Sequence, residues 1–416
     1  MRRLKSHSYI TLIFIFSFII IDFFRRFIIC NFLKIDSNII GYVNYFVYIL
    51  LSFTILFKLK YKMYELKVLY GFIFIQILFF INFRINGYGI DRYFYEEVFV
   101  LMPLLLIGIK LNKVDFKKIY FLALKLINIL VVVLVFLGII DFVTNSGVQK
   151  FLAAHDYFES LLNSDLLMQI GVYRYYSFYG HPLRVAQIII LFYILNAIAY
   201  QYLNEKVNMF VISIVSIIGI VITSSKAGII ILLALLIINF NIYKSMLGKV
   251  CINTFLAITV VSVALSRVFR EIVLARLVNI DFSSGRNEVF DYIKIGYLPK
   301  PTLLGKGVDY SGYLLNIMNT GISSFEYPFL IFSYECGIII TIVMYALFIY
   351  PAITLFLKKH FKICIYFIAL TGIINIYNGI SVMGDYMIQY CFIIMLFNNL
   401  NNYLGENNEE KNIVRN

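Results

Sequence analysis

The chain has no tryptophan, only 6 prolines, 5 cysteines and 4 histidines among its 416 residues, and only 14% of the residues are charged. So low a charged fraction, beside 61% hydrophobic residues, excludes a soluble domain, which could not hide that much apolar surface. The cysteines (Cys30, Cys251, Cys336, Cys364 and Cys391) are scattered without CxxC spacing, which argues against a disulfide framework and against a zinc site. His7, His155, His181 and His360 form no HExxH pair and no other metal-ligand spacing, so no metal or cofactor is expected. The "GKG" turn at 305–307 lacks the spacing of a phosphate loop. No small-residue cleavage site follows the first apolar run, so no cleaved signal peptide is expected. No internal repeat is visible. The absence of tryptophan beside abundant Ile, Phe, Tyr, Lys and Asn suggests a bacterial, AT-rich origin.

What is present is a succession of apolar runs near the roughly 20 residues that cross a bilayer as a helix. Twelve can be drawn, at about 8–24, 39–57, 66–83, 93–109, 119–143, 183–203, 207–223, 227–243, 250–266, 327–355, 361–378 and 383–399. The fourth is the weakest, because Glu96 and Glu97 lie near its start. The expected fold class is all-α: a polytopic transmembrane bundle of about 12 helices forming one domain over residues 1–403, with a polar, unstructured tail at 404–416. The net charge of +13 then reflects topology, not nucleic acid. With an even number of spans, "MRRLK", "KLKYKMYELK", "KLNKVDFKK", "YKSMLGK" and "KKHFK" all fall on one side. The positive-inside rule makes that side cytoplasmic and puts both termini there. Two long connections, about 144–182 and 267–326, then lie outside, and 151–167 and 267–279 read as amphipathic helices on the outer surface.

The lysines follow this rule and the arginines do not. Only Arg2, Arg3 and Arg415 fall inside; Arg25, Arg26, Arg84, Arg92, Arg174, Arg184, Arg267, Arg270, Arg276 and Arg286 fall outside or at the outer boundary. Topology gives no reason for such a separation, but phosphate chemistry does. Guanidinium presents a planar fork to phosphate oxygens and never loses its charge. Snorkelling to lipid headgroups accounts for Arg25, Arg26, Arg84 and Arg92. The arginines of the two long loops read as ligand-binding groups. In "SSGRNEVF" the turn Ser283–Gly285 can cap a helix beginning near Arg286. A cation in that first turn opposes the helix dipole until an anion sits there.

Four segments resemble the O-antigen polymerase and O-antigen ligase superfamily of integral-membrane glycosyltransferases. They are "YRYYSFYGHPLRVAQ" (173–187), "ITSSKAG" (222–228), "SSGRNEVF" (283–290) with "PTLLGKGV" (301–308), and "FEYPFLIFSYECGII" (325–339). The resemblance implies metal-independent transfer of a glycan from an undecaprenyl-diphosphate carrier, at the outer face of the bacterial cytoplasmic membrane. It implies polymerisation of O-antigen, capsule or exopolysaccharide repeat units onto a lipid-linked acceptor. Membrane lipids, a chain-length regulator and a flippase are the further partners it suggests, and nucleic acid is not among them. Lys226 stands where the family usually has Arg, keeping the charge without the fork. The loop histidine of the ligase branch has no counterpart between Pro182 and Lys359. The alternatives are a lipid-linked oligosaccharide flippase or transporter, and a ligase.

On this reading Arg286, Arg174 and Lys226 hold the diphosphate as negative charge develops on it, and Arg276 and Arg184 are the next candidates. The plain alternatives are a loop salt bridge from Arg174 to Asp165 or Glu159, and snorkelling by Lys226. Glu326 and Glu335 are the candidate bases for the acceptor hydroxyl, with Asp309 and Glu288 as further options. Glu335 is placed nine residues into the tenth span, where its plain alternative is a protonated carboxyl bonded to a neighbouring helix. Asp141 and Asp385, at outer helix ends, read as hydrated.

Overall fold

The structure, a computed structural model, describes residues 6–21, 40–153, 173–239, 288–318, 325–381 and 385–415. The described residues are overwhelmingly helical, and no strand forms among them beyond an isolated bridge between Tyr64 and Ile109. In chain order the α-helices are α1 (Ser6–Phe14), α2 (Ile40–Lys60), α3 (Leu66–Ile85), α4 (Ile90–Glu96), α5 (Lys113–Val143), α6 (Gly147–Ala153), α7 (Pro182–Tyr202), α8 (Met209–Thr223), α9 (Lys226–Ile238), α10 (Glu288–Lys294), α11 (Tyr310–Met318), α12 (Pro328–Glu335), α13 (Ile338–Leu357), α14 (Phe361–Asn375) and α15 (Tyr386–Arg415). Four of them, α3, α5, α7 and α13, are long and apolar enough to cross a membrane by length and composition. Shorter apolar helices accompany them, including α8, α9 and α14. This is a helical membrane protein. The expected ninth span, 250–266, lies outside the described residues.

The chain divides into two compact units, one built from residues 1–130 and 299–416 and the other from 131–298. In the first unit the weak fourth span is not a continuous α-helix. α4 passes into a π-helical turn (Glu97–Leu101) and then a 3-10 stretch (Met102–Gly108). Pro103 lacks the N–H that an α-helix needs, and the backbone groups freed here must find other partners inside an apolar bundle. They find them in side chains. Tyr64 donates its hydroxyl to Leu105 O at 2.8 Å, and Asn398 and Asn399 of α15 donate to Ile107 O and Ile109 O at 3.3 and 2.8 Å. The two acidic residues that made this span look weak are accommodated differently: Glu96 is buried, while Glu97 accepts a 2.8 Å hydrogen bond from Gln76 on α3.

The expected tenth span, 327–355, is two helices rather than one. α12 stops at Glu335 and α13 starts at Ile338, with Gly337 at φ +101° and ψ 157° between them. Only glycine enters that region readily. The loop that precedes α11 fills the break. Lys306 N and Gly307 N donate to the last carbonyls of α12, Tyr334 O and Glu335 O, at 2.8 and 3.0 Å. Ile338 N and Ile339 N, the first amides of α13, donate to Thr302 O and Leu303 O at 3.0 and 3.3 Å. Two of the carbonyls that the end of α12 leaves unsatisfied and two of the amides at the start of α13 are thereby paired by a single loop. The polar stretch after Tyr403, expected to be unstructured, continues as helix to Arg415. Propagating an existing helix costs far less than nucleating a new one, and that sustains so polar an extension.

In the second unit α7 is the enclosed element: residues 182–199 are all buried. α8 and α9 pack beside it, with Gly219 of α8 against Ile189 and Gly228 of α9 against Ala186.

Candidate functional site

The second unit gathers its polar residues where the C-terminal ends of α5 and α8 meet the N-terminal ends of α7 and α9. The segment 173–181 threads through that place. Ser224 Oγ donates to Tyr173 O at 2.8 Å, and Tyr175 N donates to Ile222 O at 3.3 Å. Arg174 lies between these two anchored residues, half-buried. Two residues past Ser224, Lys226 opens α9, whose N-cap Ser225 accepts from Gly228 N at 3.1 Å. Ser224 itself adopts the left-handed conformation (φ +51°) that lets α8 end and α9 start two residues later.

Arg184 stands in the first turn of α7, behind Pro182 at the first helical position and a cap in which His181 Nδ1 accepts from Leu183 N at 3.2 Å. It is 5% exposed, and its Nη1 donates to Gln187 Oε1 at 3.1 Å. Because a Cβ on Gly228 would come within 3.2 Å of Ala186 Cβ, the starts of α7 and α9 are neighbours. Arg184 and Lys226 are therefore cations in the first turns of two adjacent helices. Each opposes its helix dipole by a few tenths of a kcal/mol, roughly, and an anion at the same place would reverse the sign.

Asp141 corrects an expectation. It is not hydrated but fully enclosed, and its carboxylate accepts from Gln149 N (2.8 Å), Gln149 Nε2 (2.6 Å) and Tyr173 Oη (2.5 Å). Burial, and then the bond to Asp141, push the Tyr173 phenol far above its ordinary pKa, so it remains a donor at any physiological pH. Asp385, expected to be hydrated as well, is 7% exposed.

In the first unit the candidate bases bracket α12. Glu326 is half-buried, two residues before Pro328 at the first position of the helix. Glu335 is the last residue of α12, not a residue deep in a continuous span. Its carboxylate accepts a short hydrogen bond from Ser311 Oγ of α11, and its carbonyl accepts from Asn82 Nδ2 of α3 at 3.1 Å. The same Asn82 Nδ2 donates to Leu304 O. The loop bearing Asp309 is further fixed by the Tyr88 hydroxyl on Val308 O at 3.0 Å and the Tyr334 hydroxyl on Pro299 O at 2.6 Å.

The candidate residues therefore fall in two places: Arg174, Arg184 and Lys226 in one unit, Glu326, Glu335 and Asp309 in the other. Arg276 and Arg286 lie outside the described residues, as do Arg25, Arg26, Arg267, Arg270 and the turn at 283–285; Glu288 opens α10. Sequence reasoning missed Asn82, Ser311 and Gln149 and took Asp141 for a hydrated residue. The first two are single polar residues in apolar or tyrosine-rich runs, and their partners lie far away in the chain. No protein-family model and no curated protein matches the chain.

Proposed function

We propose that the chain is a polymerase of surface-polysaccharide repeat units. It transfers an undecaprenyl-diphosphate-linked glycan to a lipid-linked acceptor at the outer face of the bacterial cytoplasmic membrane, without a metal. One observation carries this reading: the segments that resemble the polymerase and ligase superfamily meet in pairs. Residues 173–175 hydrogen-bond to 222–224, and residues 302–307 hydrogen-bond to 334–339. Segments that share a function across long stretches of sequence are expected to share a place in the fold.

In this reading Arg174, Lys226 and Arg184, with Arg276 and Arg286, stabilise the charge that builds on the departing diphosphate. Fixed cations in a water-poor site can do this without a metal. Glu335 or Glu326 takes the proton of the acceptor hydroxyl. Removing one preorganised charge-stabilising group of this kind costs about a hundredfold or more in rate. Arg174→Ala is therefore expected to cut polymer assembly by about that factor while normal amounts of protein stay in the membrane.

A second reading, a lipid-linked oligosaccharide flippase, is favoured by the interrupted α12–α13 pair with an ionisable residue at the break. Broken helices of this kind line the substrate paths of transporters. Inactivating the chain and locating its lipid-linked glycan separates the readings. Loss of a polymerase leaves single repeat units on the carrier at the outer face. Trapping of the same units at the inner face would replace the polymerase with the flippase, and long carrier-bound polymer would indicate a ligase.

A further inference from the structure

The segment that carries Arg174 is secured by an acid that the proposed reaction does not use. Asp141 lies in the last turn of α5 with 0% exposure, and all three donors to its carboxylate are neutral. A buried carboxylate is costly to desolvate, and hydrogen bonds must offset that cost. Here each bond also reaches toward the Arg174 segment. Tyr173, the residue before Arg174, is one donor. Gln149, which gives the other two bonds, turns its Oε1 to accept Tyr176 N at 3.1 Å, two residues after Arg174. On the far side, Ser224 and Ile222 hold the backbone of Tyr173 and Tyr175. The ring of Tyr175 lies over Gly138, one turn before Asp141, where a Cβ would come within 3.1 Å of it. Arg174 is thus clamped on both sides by residues tied, directly or through Gln149, to one carboxylate.

We propose that Asp141 is a positioning residue, which through Tyr173 and Gln149 fixes the 173–176 segment and so aims the Arg174 guanidinium at its anionic ligand. This rests on the reading of Arg174 as a diphosphate-binding group. The carboxylate suits the task because it accepts from every direction it faces. An amide at position 141 would set its donor either against Gln149 N or against Gln149 Nε2 and Tyr173, which share one carboxylate oxygen, and break at least one bond.

Asp141→Asn, in cells producing the full chain, is expected to lower polymer yield between about tenfold and a hundredfold, the range a misplacement near 1 Å can cost. Because Asp141 acts through Arg174, adding Asp141→Asn to Arg174→Ala lowers the yield no further. Adding Gln149→Glu to Asp141→Asn reverses the direction of the bond between the two residues and restores the yield, a rescue that a general loss of stability would not show. Tyr173→Phe removes one of the ties and supplies a milder variant should Asp141→Asn fail to fold. Normal yield in Asp141→Asn or Tyr173→Phe, or losses that multiply with Arg174→Ala, would overturn the proposal.

A second measurement keeps the proposal apart from the polymerase reading. On purified full-length protein, trypsin cleavage after Arg174 is expected to speed up about tenfold with Asp141→Asn and to return to the wild-type rate with Gln149→Glu added. Equal rates in all three proteins would refute the positioning role whatever the chain catalyses. A strain lacking the chain that still makes full polymer would refute the reaction alone.

Discussion

Gly337→Ala is expected to remove most of the folded protein. Two independent costs meet at this position. Gly337 holds φ +101° with ψ 157°, a conformation that costs an L-residue on the order of 1–3 kcal/mol. A Cβ there would also lie 2.5 Å from Leu303 O and 2.6 Å from Gly305 N, both backbone atoms of the loop that caps α12 and α13. Backbone cannot rotate aside as a side chain can, so the loop must leave, and four hydrogen bonds between 302–307 and 334–339 go with it. The sum exceeds about 3 kcal/mol, a large part of the stability of an ordinary protein. Gly305, at φ +77°, faces the same break from the other side, where a Cβ would come 2.3 Å from Glu335 O. Gly305→Ala is expected to behave alike. Gly372→Ala is the control: it lies within α14 with open space around it, and alanine there should gain about 0.5–1 kcal/mol. Thermal unfolding of the three variants in detergent checks the contrast, and equal midpoints for Gly337→Ala and the wild type would refute the interlocked geometry.

The second large effect is expected at Asn82, which is 1% exposed. Its amide joins α3 to both partners of the break by donating to Leu304 O and Glu335 O. Glu335 O keeps a second donor in Gly307 N, whereas Leu304 O depends on Asn82 among the bonds described. Asn82→Leu keeps the volume and leaves the part-buried Leu304 carbonyl without that donor, which costs about 1 kcal/mol or more. Asn82→Asp should cost more, because it sets an acceptor against two carbonyls and must be protonated to relieve the conflict. The order of stability wild type, Asn82→Leu, Asn82→Asp is the expected result; the reverse order of the two variants would show that Asn82 is packing and not a clasp.

Long apolar runs made the helices legible in the sequence. The runs around α3, α5, α7 and α13 announce themselves because lipid selects composition over 20 residues at a time. The break at Gly337 was not legible, because "YECGIII" continues an apolar run and a single glycine does not end a membrane helix. What ends α12 is the non-local fit of Gly305 against Gly337, 32 residues apart, and no local pattern records it. Asp141 was misread for a similar reason. A lone acid at a helix end looks hydrated until the fold brings Gln149 and Tyr173 to it. The grouping of Arg174 with Lys226 could be anticipated, since both lie in segments placed on one side by the lysine bias. The pairing of "LLGKGV" with "YECGII" could not, although each segment stands out separately.

Arg174 and Lys226 are proposed to grip a polyprenyl diphosphate. Binding of farnesyl diphosphate and farnesyl monophosphate to the purified full-length protein tests it most directly. The diphosphate should bind at least about tenfold more tightly than the monophosphate, and Arg174→Lys, which keeps the charge but loses the fork, should erase most of that preference. Equal binding of the two lipids, or a preference untouched by changes at Arg174 and Lys226, would contradict the account.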